Sequence, residues 1–158
     1  MPAPGKEVKW DNAKARKRAM DLLARREHGQ LELERKLVQR GCPQDIASQT
    51  LNDLEHDGLL SDQRFTESLV QTRCDQGHGP VRIRHDLRQK GVADSVIDQW
   101  LDERSEQWLT LITRVKQQKF GDDLPGDYKE RARQARFLQS RGFTAEQIHT
   151  VLKDDDLV

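Results

Sequence analysis

The chain has 158 residues, of which 34% are hydrophobic, 34% charged and 5% aromatic, and its 27 basic side chains balance 27 acidic ones. That is enough apolar content for helices with one buried face, in one compact unit or a short array, but too little for a thick core. No apolar run is long enough to span a bilayer, and two cysteines without CxxC spacing, Cys42 and Cys74, do not make a secreted disulfide framework. The opening MPAPGKEVKW has basic residues but no apolar h-region, so it does not read as a signal peptide. A reducing, cytoplasmic setting is expected.

Residues 1–10 are rich in Pro, Gly and Lys and predict a disordered basic tail. Helical periodicity then begins, with Ala15, Ala19, Leu22 and Leu23 on one face and Lys14, Arg18 and Arg25 on a separate basic stripe. Gly29 breaks this helix. Leu33 and Leu37 mark a short second helix that ends at Arg40-Gly41. Cys42-Pro43 opens a third, with Ile46, Ala47, Leu51 and Leu54 inward, ending at Gly58.

The stretch from Gly58 to Gly91 is the most patterned part of the chain. Ser61 or Asp62 can cap a helix carrying Phe65, Leu69 and Val70. It stops at the corner Gly77-His78-Gly79. Pro80 then opens a second helix, where its missing N–H costs nothing, and Gly91 closes it as a C′ glycine would. This helix places Arg82, Arg84, Arg88 and Lys90 around a thin apolar seam of Ile83 and Leu87.

Val96, Ile97, Trp100 and Leu101 form the apolar face of the next helix. Trp108, Leu111, Ile112 and Val115 give a further one at i, i+3, i+4 and i+7, closed by Phe120-Gly121. After a loop over 122–127 comes a basic helix with Lys129, Arg133 and Arg136 on one stripe and Leu138 inward. Thr144 and Gln147 form a capping-box pair for the last helix, with Ile148, Val151 and Leu152. The acidic end Asp154-Asp155-Asp156 suits solvent. No segment alternates as a strand does, so the fold class is all-α.

Three places share one local grammar: a leucine, a basic–Gly pair four residues later, and then a new helix with a β-branched anchor. They are Leu37…Gly41…Ile46, Leu87…Gly91…Ile97 and Leu138…Gly142…Ile148, recurring about every fifty residues. The units are three-helix repeats over 11–58, 59–104 and 105–158. Each is too small to be robust alone. They are expected to lean on one another in an elongated, curved array of helix-turn-helix-like repeats, with Phe65, Leu69, Ile83, Leu87, Trp100 and Trp108 as core residues.

Charge is unevenly placed. Residues 1–40 carry an excess of about five positive charges and 41–80 an excess of about five negative ones. On the central helix Arg82 is placed to pair with Asp86, whereas Arg84 and Arg88 have no intrahelical acid and are free to meet phosphates or carboxylates. The basic stripes make Arg84, Arg88, Lys90, Lys129, Arg133, Arg136, Lys14, Arg18 and Arg25 the candidate contacts. Nothing in the pattern makes a nucleophile elbow, a Walker loop or a dinucleotide fingerprint. Cys74, His78 and His85 fall short of a four-ligand zinc site. A binding protein without catalytic residues, cofactor or metal is expected. Short helices after tight corners also fit a helix-turn-helix DNA-binding regulator, or a plain helical scaffold.

The run Gly58-Leu59-Leu60-Ser61-Asp62-Gln63-Arg64-Phe65, with Gly77-His78-Gly79-Pro80-Val81-Arg82-Ile83-Arg84 and Asp86-Leu87, resembles the core signature of the bacterial RecX regulatory proteins. Glu32-Leu33…Lys36-Leu37 and Arg136-Phe137-Leu138…Arg141-Gly142-Phe143 extend the likeness over nearly the whole chain beyond the tail. The resemblance implies three tandem three-helix repeats and structural roles for Asp62, Arg64, Phe65, Gly79, Pro80, Arg82, Ile83, Leu87 and Gly91. A monomer is expected, and the resemblance further implies that it binds RecA recombinase in the groove of its filament and meets single-stranded or duplex DNA through that filament. RecA's ATPase, strand exchange and coprotease activities would be suppressed, damping recombination and the SOS response. Ser61 stands where the family often has a second acid, and still caps. Asp75-Gln76 stands where a lysine is frequent, which removes positive charge before the corner.

Overall fold

The structure is a computed structural model that describes residues 9–153; most of the expected tail and the acidic end at Asp154–Asp156 lie outside the described residues. Within them the chain forms α1 (Asn12–Leu23), α2 (Gln30–Gln39), α3 (Gln44–His56), α4 (Asp62–Asp75), α5 (Pro80–Gln89), α6 (Asp94–Trp100), α7 (Gln107–Phe120), α8 (Tyr128–Ser140) and α9 (Ala145–Leu152), with no strand. The helices divide between two compact units. Among the described residues, the first comprises 9–65 together with Lys90–Val92, and the second comprises Thr66–Gln89 and 93–153.

In the first unit α1 lies on α3, with α2 against both. Ala15, Ala19 and Ala47, all fully buried, let the helices approach closely, and Leu33, Leu37, Leu51, Leu54 and Leu60 fill the core around them. Each buried leucine contributes about 1.5–3 kcal/mol. Trp10, assigned to the tail on composition, packs against this core instead, with the Lys14 ammonium 4.5 Å from its ring centre. Its large apolar face is worth more buried than tethered in solvent.

The first turn of α4 locks this unit. Ser61 caps α4 by accepting from Arg64 N–H at 3.2 Å. Asp62 accepts from the Gln30 N–H at 2.8 Å, supplying the start of α2 with a cap that Gly29 cannot provide. Gly29 in turn leaves room for the buried Phe65 ring, which a Cβ there would meet at 3.1 Å. Arg64 donates to the Gly58 carbonyl at 2.8 Å and to Glu27 at 3.1 Å, satisfying the end of α3.

In the second unit Ile83, Leu87, Ile97, Trp108, Ile112 and Leu138 are fully buried, with Leu101, Phe143 and Leu152 nearly so. The Trp108 indole N–H donates to the Asp102 carbonyl at 2.7 Å, so its polar edge is satisfied. Thr144 and Gln147 form the capping box at the start of α9. Two core expectations change. Leu69 is only half-buried and Trp100 is 37% exposed. Trp100 is the last residue of α6; Leu101 leaves in an extended conformation and takes the inward position.

The repeated Leu–Gly spacing is a repeated helix stop. Gly41, Gly91 and Gly142 have φ of 99°, 78° and 95°, in the left-handed region. At the first and third, the glycine N–H and the next residue's N–H reach back into the last turn: Gly41 to Val38, Cys42 to Leu37, Gly142 to Gln139, Phe143 to Leu138. The residue after each glycine is core: Cys42, Val92 and Phe143 are all buried. The third stop also meets the start of α5. Gly79 N–H donates to Arg141 O at 2.7 Å and Val81 N–H to Gly142 O at 2.9 Å, with the N–H-free Pro80 between them.

Candidate functional site

The arginine helix α5 is not open for contact as its sequence suggested. Arg84, only 18% exposed, bonds Asp98 at 2.8 Å and Glu103 at 3.2 Å, bracing α5 against α6 and the turn beyond it. Arg88 forks onto both carboxylate oxygens of Asp94, at 2.8 and 3.2 Å. The Arg88 fork holds the Asp94 carboxyl below its ordinary range. The acids that claim these arginines sit on the following helix and the turn beyond it, where one-helix bookkeeping does not look. Arg82 does not pair with Asp86 either. Arg73 from α4 takes that carboxylate at 3.1 Å, and Arg82 is exposed with no side-chain partner among the described residues. Reversing Arg84 and Arg88 to glutamate would set new carboxylates against Asp94, Asp98 and Glu103, so the change would disturb α5 as well as any contact.

Lys90 is also engaged. Its ammonium bonds Glu32 Oε2 at 3.0 Å, while Arg26 grips both oxygens of the same carboxylate at 2.9 and 3.0 Å. Glu32 is 6% exposed. Burial alone would raise its carboxyl, but hydrogen bonds and charge from Arg26 and Lys90 overcome it and hold it down to about 2. Beside it the buried His28 places Nδ1 3.0 Å from the Arg26 carbonyl and Nε2 2.9 Å from the Lys36 ammonium. Nδ1 must therefore donate and Nε2 accept, which fixes a neutral ring. Burial, and then the nearby Arg26 and Lys36 charges, keep this imidazole below its ordinary value.

On α8, Arg133 forks onto Glu130 at 2.7 and 2.9 Å and lies 5.0 Å from the Phe120 ring. This pairing holds the Glu130 carboxyl down to about 2. Lys129 and Arg136 are exposed and carry no ion pair among the described residues, as are Arg18 and Arg25 on and after α1. Of the nine candidate contacts, these four are the ones open to a partner.

Sequence reading missed three cations. Phe120 and Phe137 meet edge-to-face at 5.3 Å where α7 and α8 come together. Lys119 and Arg141 stand over the Phe137 ring at 5.4 and 5.3 Å, and Arg114 reaches from α7 to the Cys74 carbonyl at 3.2 Å. No motif joins positions this far apart; only the packing of the helices does. The cysteines are free thiols, Cys42 buried and Cys74 half-buried, and burial pushes both up. Among the described residues, no group of three or more His, Cys, Asp or Glu could hold a metal, and no helix is long and apolar enough to cross a membrane.

Comparison with known proteins matches this architecture repeat by repeat. The family descriptions "RecX, first three-helix domain", "second" and "third" fit residues 15–54, 61–101 and 105–152. The chain is 46% identical over 142 residues to the Regulatory protein RecX of Pseudomonas entomophila, covering 90% of this chain and 92% of that one. It is 47% identical over 130 residues to that of Halorhodospira halophila, covering 82% and 81%. Among solved structures, RecX from Lactobacillus salivarius superposes with a TM-score of 0.74 at 22% identity, covering 93% of this chain and 97% of that one, which speaks to the fold. With an all-α fold of three three-helix repeats, each matched in order to its own domain of one family, the chain belongs to the RecX family of regulatory proteins.

Proposed function

We propose that this chain is a cytoplasmic, monomeric modulator of the RecA recombinase that binds the RecA–DNA filament and inhibits ATPase, strand exchange and coprotease activity. The observation that carries this reading is the family match across all three repeats, with relatives named regulatory proteins. The charge pattern supports it in kind. Cations and acids are present in equal number, and this mixed charge suits a filament groove lined by protein and nucleic acid better than naked DNA. The open cations Lys129 and Arg136 on α8, and Arg18 and Arg25 on and after α1, are the contacts this reading favours. Arg84 and Arg88 serve it indirectly, by holding α5 in place. Inhibition of this kind needs no chemistry from the bound protein.

The test is RecA's single-stranded-DNA-dependent ATPase with this protein titrated from far below RecA's concentration, at two salt levels. Inhibition at substoichiometric ratios means that filament ends or growth are the target. Inhibition only near saturation means that the groove is coated. No effect on an active RecA at either salt rejects the reading in favour of a DNA-binding regulator that works without RecA.

A further inference from the structure

A concentration of positive charge in the second unit joins residues that no single sequence motif brings together. A cleft of about 370 Å³ opens between the C-terminal end of α4, α7 and α8. Its charged walls are Arg114, Lys119 and Arg141, opposed by a single carboxylate, Asp75. None of the three cations has an ion pair among the described residues, whereas Arg84, Arg88 and Arg133 do. In a chain with no net charge, three cations without an ion pair facing one acid are not an average surface. The corner next to the cleft continues this field. Burial, and then Arg82, Arg141 and Arg73, keep the His78 imidazole below its ordinary value, and its Nδ1 is buried without a hydrogen-bond partner.

We propose that this cleft directly seats the phosphodiester backbone of a nucleic acid, with Arg114, Lys119 and Arg141 as its phosphate contacts. Two features favour a sugar–phosphate strand over an acidic protein segment. A protein partner needs a free apolar anchor at the centre of its site, and the cleft offers none. Val115 is 8% exposed, and Phe137 carries Lys119 and Arg141 over its ring. The remaining walls are Gly77 and the amides of Gln76 and Gln118, which suit the sugars and base edges of a strand. Guanidinium groups fit phosphate oxygens through paired N–H donors. The proposal deepens the filament reading by giving the DNA its own seat on this chain, and rests on that reading only for the biological setting.

The experiment is fluorescence anisotropy without RecA, using a labelled oligothymidylate and a labelled mixed-sequence duplex over a salt series. Arg114→Gln with Arg141→Gln should weaken binding at least about tenfold and lower the salt slope by about two. Arg104→Gln with Lys153→Gln removes equal charge outside the cleft and should change affinity less than about twofold. Asp75→Asn removes the opposing carboxylate at the end of α4, spares the core, and should tighten binding about twofold. Equal losses in the two double variants, or no tightening by Asp75→Asn, overturn the proposal. So does cleft-dependent binding of polyglutamate with no binding of either nucleic acid. Cleft-dependent DNA binding with RecA's ATPase untouched leaves the cleft standing and removes the filament reading. Inhibited ATPase with no cleft-dependent DNA binding does the reverse.

Discussion

Replacing Glu32 by glutamine removes one charge from the most heavily loaded carboxylate in the first unit and little else. Three cations surround it: Arg26 and Lys90 bonded directly, and Lys36 held one step away by His28. The carboxyl falls from 4.5 to about 2, and at ~1.4 kcal/mol per unit its ionised form gains roughly 3 kcal/mol in the fold. Arg26 and Lys90 are 49% and 40% exposed, and water takes up part of that field, so the expected loss for Glu32→Gln is about 2 kcal/mol at neutral pH. The folded pKa lies below the unfolded one. The contribution is therefore fully present above about 4.5 and is lost as pH falls towards 2. Urea denaturation followed by far-UV circular dichroism measures both parts. A stability gap near 2 kcal/mol at neutral pH that narrows through this acid window is expected. A gap below about 0.5 kcal/mol, or one that stays constant through the window, would refute the reasoning.

Gly142→Ala should cost at least about 2 kcal/mol, because its φ is 95° and a Cβ would lie 2.3 Å from Arg82 Cβ and 2.7 Å from Arg82 N. Gly58→Ala, with φ of 76° and nothing within 4 Å, should cost only about 1 kcal/mol; equal losses in thermal melts would show that the Arg82 contact adds nothing. Trp108→Phe removes the indole donor from the Asp102 carbonyl, which keeps only the Ser105 N–H, and leaves a void, so a loss of about 2 kcal/mol is expected by chemical denaturation. His28 is held below its ordinary pKa of 6.5, so the unfolded chain binds a proton that the folded one refuses. Stability is then full above about 6.5 and should fall as pH drops below it. The fall should be shallower in His28→Gln, with His78 supplying the residual slope through a shift of the same sign.

Much of the fold could be read from local chemistry. Trp108, Leu111, Ile112 and Val115 were legible as a buried stripe because period alone sets that face, and all four are buried. The helix stops were legible because a left-handed C′ position selects glycine. Trp100 misled because helical spacing ceases to apply where the helix ends. Arg84, Arg88 and Asp86 misled for a different reason. An arginine side chain reaches well beyond its own helix, and its partner is chosen by which helix packs nearby. The duplicated His-Gly pair, His28-Gly29 and His78-Gly79, stands five residues before Leu33 and Ile83 respectively and was visible in the sequence, yet only the fold places each beside its cations.

The seam where α5 begins and α8 ends bears on how the chain folds. A helix leaves amides unpaired at its start and carbonyls unpaired at its end. Here the amides of Gly79 and Val81 and the carbonyls of Arg141 and Gly142 satisfy one another. Neither set has a partner until two segments about sixty residues apart in sequence come together. The two segments are therefore expected to unfold together. A fragment ending between them would expose both sets of groups at once, so a cut at this boundary is expected to destabilise both sides.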